Sequence, residues 1–297
     1  MNRLRPVRGL FLPTLAIPRA SIAVAVMLLT FVRAQGTSSA QETRRIEIQR
    51  TANNLRFGII RDDSVRLPAP TLFVFATAIE GMQTQPIYTE VSELLVKQGW
   101  VSIVIDPPCH GEDMREGEPP QLDGWRHRLA HQEEFVTKFT EKVSSVLDHL
   151  IDAGIADPKR IAACGTSRGG FLAYQFAAAE KRVRAVAGIS PVTRLTALRE
   201  FSERPPLESA DRLNTALLAP QLVDRAVWLS IGNNDARVNT DDAIAFTRGV
   251  VHAAALQEPS NKIIPVELIV GPSAGHSKID HAHELLAVWL VKQIPQK

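Results

Sequence analysis

From residue 44 onward the chain alternates between short unbroken apolar runs and longer stretches in which apolar positions recur every three or four residues. The unbroken runs are Thr71–Ala76, Trp100–Ile105, Arg160–Cys164, Val183–Ile189, Ala226–Ile231 and Ile263–Val270. A strand that is apolar on both faces is covered on both faces, which is the mark of a parallel sheet. Between these runs lie stretches with helical spacing. Tyr88–Gln98 carries Val91, Leu94 and Leu95, and Glu134–Ala153 carries Phe135, Phe139, Val143, Val146, Leu147 and Leu150. Phe171–Ala179, Thr240–Leu256 and His281–Gln293 complete the series. Ahead of them Arg44–Gln49 alternates charged and apolar residues, Asn53-Asn54 offers a turn, and Leu55–Arg61 returns as a hairpin partner. The pattern predicts an α/β domain, with a mostly parallel sheet of about eight strands and helices on both faces. Residues 107–133 read as a polar loop. Residues 192–225, broken by Pro205-Pro206 and Pro220, read as an irregular, lid-like helical insertion.

Composition changes this picture at one end. With 45% hydrophobic and 22% charged residues the chain is ordinary globular material. Residues 1–34, however, hold Arg3, Arg5, Arg8, Arg19 and Arg33 and no acid. Ile22–Val32 is an apolar core too short to span a bilayer comfortably, and small residues follow at Ala34 and Ala40. The expectation is a signal peptide and short linker over residues 1–40, a single domain over 41–297, and an exported, periplasmic or secreted protein. An uncleaved segment would leave a membrane anchor instead, although Pro13, Pro18 and Arg19 break any longer apolar helix. Without residues 1–34, 29 basic side chains face 32 acidic ones, a net charge of −3. That balance gives no general attraction for nucleic acid or anionic membrane, and no stable membrane insertion is expected once the signal is removed. Cys109 and Cys164 are expected to be two free or buried thiols, and no C-x-x-C zinc pattern occurs.

The candidate chemistry centres on Gly165-Thr166-Ser167-Arg168-Gly169, followed by Gly170. It stands where an apolar strand turns into a helix. Such a turn strains its middle residue and needs small neighbours, so Ser167 is held out at the carboxyl edge of the sheet. A serine nucleophile needs a histidine to take its proton and a carboxylate to orient that histidine. Asp235 lies just past the run ending at Ile231, and His276 just past the run ending at Val270. Each has a plainer reading: Asp235 closing a turn, His276 capping the last helix. The coincidence of three residue types in the required order at one sheet edge favours a triad. Oxyanion donors are expected from the backbone of Arg168 and from the loop around Thr77, Ala78 and Ile79, with Ala78 as the chosen second donor. The Arg168 side chain suits either a surface cation or a pocket wall. His281 and His283, with Glu284, are rival bases and a faint metal pattern, but they fall in the last helix. His110 suits either a pocket wall or a solvated loop. Neither a cofactor nor a metal is expected.

These residues resemble the α/β-hydrolase superfamily, in particular its dienelactone-hydrolase-like and prolyl-oligopeptidase-like serine esterase branch. Gly165–Gly170 is similar to their elbow, Gly232–Asp235 to their acid turn, Gly275-His276 to their histidine turn, and Asp106–Gly111 to the loop after their fourth strand. The resemblance covers roughly residues 65–295 and implies the α/β-hydrolase fold. Phe75–Gly81 departs from the His-Gly found in many members after the third strand. A serine stands where dienelactone hydrolases carry cysteine, so lactone specificity is not implied. The stretch before the first core strand is expected to leave no room for the propeller of the peptidase members. Together with the N-terminal export signal, the resemblance implies an exported hydrolase of small-molecule carboxylic esters, using Ser167, His276 and Asp235 through an acyl-enzyme. A small peptidase or amidase of the same fold is the alternative, and a non-catalytic binding protein is the rival from another class.

Overall fold

Five of the six apolar runs become the largely buried inner strands of one eight-stranded sheet, and the sixth becomes its half-exposed edge strand. The computed structural model describes residues 45–257 and 263–295, which belong to one compact unit, Thr43–Lys297. The expected signal segment lies outside the described residues. The strands are β1 (Glu47–Arg50), β2 (Arg56–Ile60), β3 (Ala69–Phe75), β4 (Val101–Val104), β5 (Ala156–Thr166), β6 (Val183–Ile189), β7 (Ala226–Gly232) and β8 (Val266–Gly271). Their order in the sheet is β1-β2-β4-β3-β5-β6-β7-β8. The β1/β2 hairpin is antiparallel, as is the β2/β4 pair, and every later pairing is parallel. The last strand starts at Val266 rather than Ile263. Proline lacks an N–H for the ladder, and Pro265 serves only as an acceptor, its carbonyl taking the Val227 N–H at 2.8 Å.

The helices are α1 (Ile79–Thr84), α2 (Glu90–Val96), α3 (Gln121–Ala130), α4 (Phe135–Asp152), α5 (Arg168–Ala179), α6 (Arg199–Ser202), α7 (Glu208–Asp211), α8 (Thr240–Gln257) and α9 (Ala282–Gln293). They cover the two sheet faces as two separate cores. One gathers Phe73, Phe75, Phe139, Leu147, Phe171, Phe176 and Phe246 beneath α4, α5 and α8. The other gathers Leu72, Leu95, Trp100, Trp228, Leu286 and Leu290 beneath α2 and α9. The alternation of each strand between these cores is why it reads as an uninterrupted apolar run.

Two stretches differ from expectation. Residues 107–133 are not a solvated loop: they contain a 3-10 turn at Gly111–Asp113 and all of α3. Trp125 is fully buried and donates to the Pro108 carbonyl at 2.7 Å. Arg128 is also buried, held by Asp113 at 2.6 Å and Glu118 at 2.8 Å. The stretch reads as polar because the buried Arg128 brings its own acids with it and most of residues 112–121 are exposed. Residues 192–225 are a chain of short turns: 3-10 at Leu195–Ala197, α6, α7, and 3-10 at Thr215–Gln221. They brace α3, α5 and α8.

Candidate active site

Ser167 stands at the turn from β5 into α5, with φ 55° and ψ −119°. That conformation is sparsely populated for a residue with a Cβ, and such outliers mark sites where surrounding structure dictates the backbone. The glycines explain how it fits. A Cβ on Gly169 would stand 1.8 Å from the Phe75 carbonyl oxygen, and one on Gly165 would stand 2.1 Å from the Gly169 carbonyl carbon. The elbow is then pinned by backbone bonds. The Ser167 N–H donates to the Ile189 carbonyl at 3.0 Å, and the Ser167 carbonyl accepts from Gly170 and Val192, each at 3.0 Å.

Two loops at the same sheet edge bring the partners. His276 follows β8, after Gly275 at φ +103°. Its Nε2 lies 3.0 Å from Ser167 Oγ and its Nδ1 lies 2.8 Å from Asp235 Oδ2. With the Nδ1–H donating to the carboxylate, Nε2 presents its lone pair to the serine hydroxyl. Asp235 follows β7 with its side chain 0% exposed, while the His276 side chain is 30% exposed at the cavity. Asp235 Oδ1 accepts from the N–H groups of Arg237 and Val238 at 3.0 and 3.2 Å. Burial pushes the Asp235 pKa up, but the His276 hydrogen bond, the His276 charge and these two N–H donors outweigh it. The net position is below the usual carboxylate range, so the group stays anionic.

The loop after β3 is clamped by Asp106, a buried residue just past β4. Asp106 Oδ1 accepts from the Ile79 N–H at 2.8 Å, and Oδ2 accepts from Arg56 Nη1 at 3.0 Å and the Glu112 N–H at 3.2 Å. Arg56 also pairs with Glu80. Of the three backbone donors expected on this loop, Ile79 is therefore already committed to Asp106. Ala78 caps α1, and Ala76 is the loop residue in the cavity wall. On the other side of the oxyanion position, Arg168 is the first residue of α5, where an N–H has no acceptor from a preceding turn.

Of the two rival histidines, His283 reaches the wall of the cavity over Ser167, but its ring pairs with Glu90 rather than with the serine. His281 caps α9 in the left-handed region with its side chain 78% exposed, 3.6 Å from Glu284. His283 is buried and its Nδ1 lies 2.6 Å from Glu90. Their partners diverge, and no group of three or more metal-ligating side chains occurs among the described residues. His110 is not a solvated loop residue: it is 3% exposed and its Nδ1–H donates to the Pro108 carbonyl at 2.8 Å. Burial, followed by the nearby Arg168 charge, pushes its pKa down to about 4, so the ring is neutral. Cys109 and Cys164 are buried free thiols.

Ser167 and His276 open into a cavity of about 480 Å³. A larger hollow of about 580 Å³, between α3, α4 and the 192–225 stretch, contains none of the three residues. The lid-like role expected of residues 192–225 is not what the cavity shows: its wall takes Leu122 from the 107–133 stretch and nothing from 192–225. Instead Ile87, Tyr88, Arg237, Ser277 and Lys278 surround the opening. These wall residues went unread because they are scattered over nearly 200 positions and share no motif.

The comparisons with known proteins follow the same lines. The pattern of the prolyl oligopeptidase family matches residues 123–295, a stretch that holds Ser167, Asp235 and His276. No curated protein matches the chain in sequence. Among solved structures, the acylaminoacyl peptidase of Pyrococcus horikoshii superposes with a TM-score of 0.62 at 14% identity, over 86% of this chain and 43% of that one. A puromycin-hydrolyzing peptidase of Mycobacterium tuberculosis gives 0.60 at 15% identity, over 84% and 40%. TT1662 from Thermus thermophilus gives 0.59 at 17% identity, over 85% of this chain and 100% of that one. The chain thus spans less than half the length of the two peptidases. At these identities the likeness establishes the α/β-hydrolase fold, which the sheet order and the strand-turn-helix at Ser167 show independently. The family pattern reaches further, because it covers more than half of the chain and all three residues of the relay: the chain belongs to the prolyl oligopeptidase family.

Proposed function

We propose that the chain is a serine hydrolase that cleaves a peptide or amide bond in a small substrate. The observation that carries this is the continuous relay Ser167–His276–Asp235, at 3.0 and 2.8 Å, open to a cavity at the sheet edge. Ser167 Oγ attacks the scissile carbonyl as its proton passes to His276 Nε2. The carbonyl oxygen becomes an oxyanion that rests on the Arg168 N–H and on a second donor from the loop after β3, which we assign to Ala78. His276 then gives its proton to the leaving nitrogen, the C–N bond breaks, and an acyl-Ser167 ester remains. Water, deprotonated by His276, attacks that ester and releases the acid, returning the proton to Ser167. Asp235 holds the imidazole in orientation and offsets its charge while it carries the proton.

From the residues alone the expectation was ester cleavage first and amide cleavage second. Membership of the prolyl oligopeptidase family reverses that order. The same steps act on an ester with an alcohol leaving, and the geometry does not separate the two bonds. A purely binding role is disfavoured by a relay whose hydrogen bonds are all in place. Export rests on the arginine-led apolar segment of residues 1–40, outside the described residues.

The test is turnover of a panel of aminoacyl p-nitroanilides and p-nitrophenyl esters by the purified chain beside Ser167→Ala. Amide cleavage that falls by at least about 10³-fold in the variant is expected. Equal rates for the two proteins would remove Ser167 from the mechanism.

A further inference from the structure

The wall of the cavity over Ser167 includes three cations, Arg168, Arg237 and Lys278, and no carboxylate. Two of them have acidic partners outside the cavity. Arg237 forks onto Glu200 with both contacts at 2.7 Å, and Lys278 lies 3.6 Å from Glu90. Arg168 differs. Its Nε donates to the Ala76 carbonyl at 3.2 Å and its Nη1 to Gln121 Oε1 at 2.8 Å, both neutral acceptors. Among the described residues no carboxylate stands within ion-pair distance of it and none accepts from its Nη2. Arg168 is half-buried, and a guanidinium partly withdrawn from water is stabilised by a neighbouring acid, since losing water without a counter-charge is costly. Here burial lowers the Arg168 pKa, and the Arg237 charge acts in the same direction. The neighbouring His110 ring is neutral and supplies no compensation, and Tyr88 and the more distant Glu200 oppose the lowering only in part.

The side chain is held in place from both ends. Gln121 sits at φ 58°, in the left-handed region an ordinary residue seldom adopts, while its N–H donates to the Cys109 carbonyl at 3.0 Å and its amide oxygen holds Nη1. The direction follows from the reaction geometry. The substrate's carbonyl oxygen would rest on the N–H of Arg168 itself, and the leaving group must face His276 Nε2 to receive its proton. The part of the substrate left facing Arg168 is the acyl side.

We propose that Arg168 determines specificity by pairing with a carboxylate on the acyl side of the scissile bond, so that the preferred substrate has an acidic residue immediately before the bond cut. This rests on the reading of Ser167 as the nucleophile. The guanidinium gains the counter-charge that the protein withholds, and its planar fork matches a carboxylate.

Acetyl-glutamate p-nitroanilide and acetyl-glutamine p-nitroanilide have nearly the same shape and differ in charge, so their kcat/KM ratio isolates the effect. The wild type is expected to favour the glutamate substrate about tenfold or more. Arg168→Gln should bring the ratio near one, and Arg168→Lys should retain part of it. The salt dependence of the wild type reads the same charge without any variant. Raising ionic strength from about 0.05 to about 0.5 M should lower kcat/KM for the glutamate substrate several-fold and spare the glutamine one. Should neither anilide turn over, protection of Ser167 from a fluorophosphonate by acetyl-glutamate amide against acetyl-glutamine amide reports the preference. A wild-type ratio near one, a ratio unmoved in Arg168→Gln, or equal protection by the two amides (or by neither) overturns the proposal. Ser167→Ala run alongside separates the two ideas. An inactive Ser167→Ala with no charge preference removes only the role of Arg168, whereas a fully active one removes the nucleophile itself.

Discussion

Asp235 shows how a single carboxylate can be prepared for its task before any substrate arrives. Its side chain is fully buried, yet it stays ionised because one oxygen takes two backbone N–H groups and the other takes His276 Nδ1. Replacing it with Asn keeps the shape but removes the anion, and an amide can donate to Nδ1, which favours the tautomer with its proton on Nε2. In that tautomer the imidazole cannot accept from Ser167. Asp235→Asn is therefore expected to lower kcat by about 10³–10⁴-fold with KM little changed, measured on whichever substrate the wild type turns over. A loss confined to KM would mean that Asp235 shapes the cavity rather than the base. At this scale the sequence was highly legible. Gly165 and Gly169 stand against backbone atoms that leave no room for a side chain, so the motif and its geometry are nearly the same statement. Arg168 was only half legible, because nothing along the chain says that Ala76 and Gln121 would hold it against the cavity.

Among the elements, the loop after β4 is the one whose character reversed between sequence and structure. In the sequence His110 suits either a pocket wall or a solvated loop, and residues 107–133 around it read as a polar loop. In the fold His110, Trp125 and Arg128 are buried: the His110 Nδ1–H and the Trp125 N–H donate to the Pro108 carbonyl and Arg128 meets Asp113 and Glu118, while His110 Nε2 has no partner among the described residues. Hydrophobic periodicity has no means of registering a stretch whose buried groups are polar and mutually paired. This loop also makes a pH prediction. His110 has its folded-state pKa pushed down to about 4 from an ordinary value of 6.5. Between those values the unfolded chain binds the proton and the folded chain does not. Stability therefore falls as pH drops through this window, by about 3 kcal/mol at pH 4 from this group alone, and is unaffected by it above pH 6.5. His110→Asn keeps a donor near the Pro108 carbonyl and removes the titration. Its thermal midpoint is expected to decline less steeply than that of the wild type between pH 6.5 and 4, as followed by circular dichroism. Parallel declines would show that His110 is not the group responsible.

At the scale of the whole molecule, the sheet converts residues far apart in sequence into neighbours. Ser167, Asp235 and His276 each follow a strand, β5, β7 and β8, and parallel strands deliver their following loops to one edge. That rule made the fold and the relay readable, since it needs only the run of apolar strands and the residues just past them. It does not make the cavity readable. The wall is assembled from Tyr88, Arg237 and Lys278 on loops whose mutual approach depends on the packing of both cores. Nor does it reveal bond preference, for which the resemblance implies esters and our proposal takes amides. The 192–225 stretch taught a related lesson: irregular spacing and prolines suggested a cover over the site, but its short turns brace helices instead. The claim on which all of this depends is that Ser167 is an activated nucleophile. The most direct measurement is mass spectrometry of the purified chain after brief treatment with a fluorophosphonate, with the modified peptide sequenced. The account predicts one adduct, on Ser167, formed much more slowly in His276→Ala. An adduct on another residue, or none at all in the folded wild type, would contradict it.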